Sequence, residues 1–294
     1  MSGTFFAGFS AFERTTSEGV VVHGVIGGHG PPMLLLHGCP QTHVMWRHVA
    51  PGLAAHCTVV ATDLRGYGDS SKPESRPDHA RYSFRALAAD QLEVMAQLGF
   101  PDFMVAGHDR GARVAHRLAL DHPEHVRKAA LLDILPTVTM YEHADAAFAS
   151  AYWEWFFFTQ APPFPERLLS AAPEAFLEHE LGALVRDGVI EPEAWAEYLR
   201  VISDPHAVHA MCEDYRAGAT IDLEHDRDDA GRRIACPVLV LWGKRNPVWR
   251  GFDMPATWRR FASDVEGRGL DCGHYLAEER PAETRELLAA FVSI

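Results

Sequence analysis

Asp109 stands at the centre of Gly107-His108-Asp109-Arg110-Gly111, after the apolar run Phe103–Ala106. A Gly-x-X-x-Gly pattern between a strand and a helix is a turn that lifts its central side chain clear of the sheet. A carboxylate in that place can attack an electrophilic carbon and form an ester, which water must then open. The chemistry therefore calls for a base and for an acid to orient it. His274, in "LDCGHYLAEERP" ahead of the last helical stretch, is the candidate base. Asp133, in "LLDILP" at the end of another apolar run, is the candidate acid, because a carboxylate in so apolar a setting needs a cationic partner. The backbone N–H groups of Cys39 (in "HGCP", 37–40) and Arg110 would form a two-donor hole for the oxyanion. The plainer alternative for Asp109 is an N-cap on the helix that follows.

Arg110 and Arg113 lie three residues apart at the head of that helix and share a face. Two guanidiniums beside the nucleophile would hold a substrate carboxylate, since arginine binds carboxylates bidentately. The plainer alternative is a pair of surface ion pairs on an acidic protein.

Positioning these residues takes a sheet. Apolar runs at 31–38, 57–70, 102–109, 128–136 and 236–247, with a weaker one at 264–274, alternate with helical patterns at Phe84–Leu98, Arg110–Asp121 and Ala282–Val292. That alternation predicts an α/β protein with a mostly parallel sheet flanked by helices. Residues 137–226 carry no convincing strand and are rich in Ala, Glu and aromatics. They are expected to form a helical cap inserted into a core made of 1–136 and 227–294.

Composition narrows the partners. The net charge of −13 argues against nucleic acid or an anionic membrane, both of which need a basic surface. No run of about 20 apolar residues suggests a membrane span. The five cysteines are scattered, with no C-x-x-C pair, so no zinc or redox site is expected and the thiols read as reduced. The N-terminus lacks the pattern of a secretory signal, which makes the cytoplasm the expected compartment. The chemistry outlined needs no cofactor and no metal.

"HGCP", "DLRGYGDS" (63–70), "GHDRG", the late Asp133 and the C-terminal Gly273-His274 together resemble the α/β-hydrolase superfamily over almost the whole chain. Where relatives with an Asp nucleophile carry Trp after it, this chain carries Arg110. "HDRGARVAHRLALDHP", "LLDILPT", "AYWEWFF" and "CEDYRAG" are similar to the haloacetate (fluoroacetate) dehalogenases. That resemblance implies a small anionic 2-haloacid as substrate, an ester on Asp109, and water activated by His274. It also implies halide donors from the cap, Trp155 and Tyr215 by match, and a homodimer. One departure stands out: the family pattern Trp-His-Trp is here Trp153-Glu154-Trp155. A carboxyl at Glu154 donates a hydrogen bond only when protonated and repels halide when ionised, so fluoride release is expected to suffer most. Two other functions fit the same fold. An epoxide hydrolase would use the same Asp/His/Asp machinery with acids from the cap, and a non-catalytic binding protein would use none of it.

Overall fold

The computed structural model describes residues 5–293. Eight strands form one sheet: β1 (Ser10–Thr15), β2 (Val21–Gly28), β3 (Pro32–Leu36), β4 (Thr58–Thr62), β5 (Phe103–His108), β6 (Val126–Leu132), β7 (Val238–Gly243) and β8 (Val265–Leu270). Their spatial order is β1-β2-β4-β3-β5-β6-β7-β8. β2 runs antiparallel to both β1 and β4, and every later pairing is parallel. The six apolar runs correspond to β3–β8. β5 is buried along its whole length, as a strand covered on both faces must be.

The first two strands were not anticipated. β1 (SAFERT) is polar and largely exposed, as suits a sheet edge. β2 (VVHGVIGG) is broken by glycines and reads as loop by composition.

Short α1 (Ala50–Leu53), long α2 (Phe84–Gln97) and α3 (Arg110–Asp121) belong to the first half of the core, and α2 and α3 pack on one another. Ser83 caps α2 by accepting from the Ala86 N–H, which fixes where that helix starts. Between β6 and β7 the chain is helical throughout: α4 (Thr137–Glu142), α5 (Ala146–Ala151), α6 (Glu154–Phe157), α7 (Phe164–Ala171), α8 (Pro173–Arg186), α9 (Pro192–Ile202), α10 (Pro205–Ala219) and α11 (Ile221–Asp228). This is the segment expected as a cap. The chain closes with α12 (Met254–Trp258), α13 (Leu276–Glu279) and α14 (Pro281–Ser293). Among the described residues no helix is long and apolar enough to cross a membrane.

Because β3 and β5–β8 are parallel, their carboxyl ends lie on one edge of the sheet. The chain order reverses between β3 and β5, and open α/β sheets bind ligands at such a switch point. Gly38-Cys39, Asp109, Asp133, Asn246 and His274 all follow those strand ends.

Candidate active site

Asp109 adopts φ 49°, ψ −119° between β5 and α3, a left-handed conformation that costs about 1–3 kcal/mol for a residue with a side chain. The two flanking glycines make the turn possible. A Cβ on Gly107 would sit 2.2 Å from the Gly111 carbonyl oxygen, and one on Gly111 would sit 2.4 Å from the His37 oxygen. Asp109 makes no side-chain cap bond to α3, so the N-cap alternative fails. Its carboxylate turns into a cavity of about 290 Å³.

In that cavity Oδ1 of Asp109 accepts from the Cys39 N–H at 3.0 Å. Oδ2 lies 3.9 Å from Nε2 of His274. Nδ1 of His274 is 2.6 Å from Oδ2 of Asp133. Asp133 is 1% exposed and satisfies both oxygens: Oδ1 accepts from the Gly243 N–H (2.7 Å) and Trp249 Nε1 (2.8 Å), and Oδ2 also accepts from Asn246 Nδ2 (2.8 Å). So many donors fix the carboxylate and, through it, the imidazole. The same Asn246 Nδ2 donates to the hydroxyl of Tyr152 at 2.8 Å.

Charge distribution follows from this packing. Burial works against a charged His274, but the hydrogen bond and charge of Asp133, with Asp109 nearby, push it up to about 9. Burial likewise works against an ionised Asp109, yet His274, His108, Arg110 and Arg113 hold its carboxyl below the ordinary value. The free site therefore holds an ionised nucleophile facing an imidazolium. An ester formed on Asp109 would remove its charge and with it part of what keeps His274 protonated.

Behind Cys39, His37 accepts from the Leu64 N–H through Nε2 at 3.0 Å, with Nδ1 2.9 Å from the Gly38 oxygen. Asp63, from the "DLRGYGDS" motif, binds the His43 N–H at 2.9 Å, the His43 ring at 2.8 Å and the His23 ring at 3.1 Å. These bonds hold the β3 and β4 loops in register. Arg110, as the first residue of α3, has an N–H with no acceptor within its own helix, as the two-donor hole requires.

The two arginines, expected to hold a substrate carboxylate, are both buried and neither lines the cavity. Neither makes a surface ion pair. Arg110 is 1% exposed and engaged by an internal carboxylate: its Nε and Nη2 reach Asp214 Oδ2 (2.8 Å) and Oδ1 (2.5 Å). Its guanidinium also stacks 4.3 Å from the Tyr215 ring centroid. The physical reason is charge balance, because two adjacent buried cations without an anion would be costly. Arg113 has neutral partners, the Leu135 oxygen (3.0 Å) and Thr137 Oγ1 (2.9 Å), and its buried Nε has none. Burial and the neighbouring Arg110 push it down to about 10.

The cap supplies the opposite wall through Tyr152, Trp153, Glu154, Phe176, Glu180 and Tyr215. Trp155, expected among the halide donors, does not line the cavity. It is 2% exposed, and its ring stacks over the Arg113 guanidinium at 4.6 Å and meets Tyr215 edge-on. Glu154 does face the cavity. Burial, with Glu180 as the largest like-charge influence, pushes its carboxyl up to about 8; burial raises Glu180 as well, so the two carboxyls hold a proton between them. Of the two states the sequence left open for Glu154, this setting favours the protonated one, which offers an O–H donor.

Asn246, Trp249, Tyr152 and Glu180 were not singled out from sequence. Only "GKRNPVW", a polar break straight after an apolar strand, carried a signal for the first two.

Residues 31–281 match the model for the alpha/beta hydrolase fold. The chain is 47% identical to a fluoroacetate dehalogenase from Burkholderia sp, covering 97% of this chain and 95% of that one. It is 34% identical to a soluble epoxide hydrolase from Corynebacterium sp. (strain C12), covering 90% and 91%. A crystal structure from Nostoc sp PCC 7120, described as an alpha/beta hydrolase, superposes with a TM-score of 0.93 at 54% identity over 97% and 98% of the two chains. The eight-stranded sheet and these relatives together establish that the chain belongs to the α/β-hydrolase family and groups within it with the fluoroacetate dehalogenases.

Proposed function

We propose that this protein hydrolyses the carbon–halogen bond of a short 2-haloacid. The carrying observation is the Asp109 carboxylate, withheld from its own helix and held 3.9 Å from His274. Asp109 attacks the α-carbon from the side opposite the halogen, so the configuration inverts and halide leaves. Water, deprotonated by His274, then attacks the Asp109 ester carbonyl, with the Cys39 and Arg110 N–H groups on the oxyanion. A 2-hydroxy acid departs. Arg113, with no carboxylate partner of its own, supplies the charge for the substrate carboxylate, and Arg110 stands beside it, tied to Asp214. Tyr215 and protonated Glu154 face the departing halide. Five free cysteines support a reducing compartment such as the cytoplasm.

The test is halide release from fluoro-, chloro- and bromoacetate, together with intact-mass measurement of His274→Gln. The variant should gain one carboxymethyl group on Asp109 when given chloroacetate. An unmodified variant and a wild type that releases no halide would instead indicate a binding protein.

A further inference from the structure

The helical segment between β6 and β7 lines the cavity with four groups that can carry an acidic hydrogen: Tyr152, Glu154, Glu180 and Tyr215. The Tyr152 hydroxyl accepts from Asn246 and lies 3.4 Å from Nδ1 of His274, which Asp133 already holds; its hydrogen stays free, but burial pushes the phenol well above its ordinary value and leaves it the weaker acid. Tyr215 lies 3% exposed against Arg110, Trp155 and Phe158. Glu154, at the start of α6, faces the cavity with no bond to another residue's side chain. It looks toward Asp109 and His274 from the core, Glu180 and His179 from α8, Tyr152, Tyr215 and Tyr275, and Arg245, whose charge is paired with Glu279. Burial, Glu180 and Asp109 all work against a charged Glu154, and Glu180 is raised with it, so a proton is retained on this pair of carboxyls.

Halide is a stable anion and leaves without a proton. An alkoxide does not, and an acid in this place changes which bonds the site can break. We propose that the same site opens the three-membered ring of an oxirane-2-carboxylate, with Glu154 as the acid that protonates the departing oxygen. The inference rests on the haloacid reading above for its carboxylate subsite and nucleophile.

The steps balance. Asp109 Oδ bonds to the carbon next to the carboxylate, that carbon's bond to the ring oxygen breaks, and the oxygen takes the Glu154 proton. This leaves a hydroxyalkyl ester and a Glu154 carboxylate. Water adds to the Asp109 carbonyl carbon, losing a proton to His274, and the acyl C–O bond breaks. One proton returns to the released alkoxide and the other restores Glu154. The sum is epoxy acid plus water giving a 2,3-dihydroxy acid, with no net acid released, whereas dehalogenation releases one proton per halide. The wild type acts on the ring only while Glu154 keeps its proton, so turnover of the epoxy acid falls above about pH 8.

The experiment measures dihydroxy acid from oxirane-2-carboxylate and chloride from chloroacetate, side by side, for wild type, Glu154→Gln and Glu154→Asp. The ratio of the two kcat/KM values should fall about 100-fold in Glu154→Gln, the scale of a lost general acid, and recover substantially in Glu154→Asp. Chloride release without dihydroxy acid from the wild type overturns this proposal and leaves the haloacid reading standing. Dihydroxy acid without chloride overturns the haloacid reading alone, and absence of both products overturns both. A ratio unchanged in Glu154→Gln shows that the acid is another group and overturns the assignment.

Discussion

Replacing Arg113 with Met should separate substrate charge recognition from folding. An anionic substrate beside ionised Asp109 feels a repulsion of about 4 kcal/mol at 4 Å with an effective dielectric near 20. Arg113 offsets that repulsion and supplies charge-assisted hydrogen bonds worth about 1.5–3 kcal/mol. Arg110 remains in the variant, but its charge is already shared with Asp214. A net loss of about 3 kcal/mol is therefore expected, a fall in kcat/KM for chloroacetate of roughly 150-fold. Neutral chloroacetamide, which has no carboxylate to hold, should lose less than about fivefold.

Stability should behave differently. In the folded protein Arg113 is held at about 10, below the usual arginine range, so its charged form costs about 3 kcal/mol at neutral pH. That penalty disappears only as pH rises through 10 and beyond. Methionine removes it but strands two acceptors, Leu135 O and Thr137 Oγ1, at roughly 1–3 kcal/mol each. The opposing contributions leave stability within about 3 kcal/mol of wild type by urea denaturation. Equal losses on chloroacetate and chloroacetamide would refute the electrostatic argument and leave Arg113 as a packing residue.

Other outcomes follow from the same geometry. Asp133→Asn keeps the shape but removes the charge that sustains imidazolium, and should lower kcat for chloroacetate by about 100- to 10,000-fold, with Tm read in parallel. His274 is raised in the folded state to about 9, so the stability it contributes is complete below the unfolded value near 6.5 and is lost as pH rises through 9. His274→Gln should accordingly flatten the decline in urea midpoint across that window. Fluoroacetate should turn over more slowly than chloroacetate, and the gap should widen above pH 8 as Glu154 ionises, measured by fluoride and chloride electrodes. A single turnover in heavy-oxygen water should label Asp109 and not the product, because water attacks the ester carbonyl.

The core strands and the nucleophile turn were legible because both are local. Apolar runs such as PMLLL and VLVLWG, or two glycines around Asp109, declare themselves within a few residues. β1 was not, since an exposed edge strand has little apolar pattern to show, and β2, though paired on both sides and largely buried, has its apolar run broken by Gly24, Gly27 and Gly28. Arg110 illustrates a different limit. Its partner Asp214 lies 104 positions away on a cap helix, and no spacing rule connects them. Trp155 was found by match to relatives, but its role depends on whether the indole faces the cavity or backs Arg113, which only packing decides. For Glu154 the sequence identified the position, while its protonation depends on how close Glu180 comes from α8.

The groups proposed to attack, Asp109, His274, Asp133 and the Cys39 N–H, stand on the sheet edge, and those proposed to meet the leaving group, Glu154 and Tyr215, belong to the helices between β6 and β7. Bond making and bond leaving are thus carried by separable stretches of chain. Exchange of the intervening segment between relatives could alter which groups depart without rebuilding the machinery that attacks. A lineage with this layout can explore new leaving groups one cap at a time while its ester chemistry stays intact.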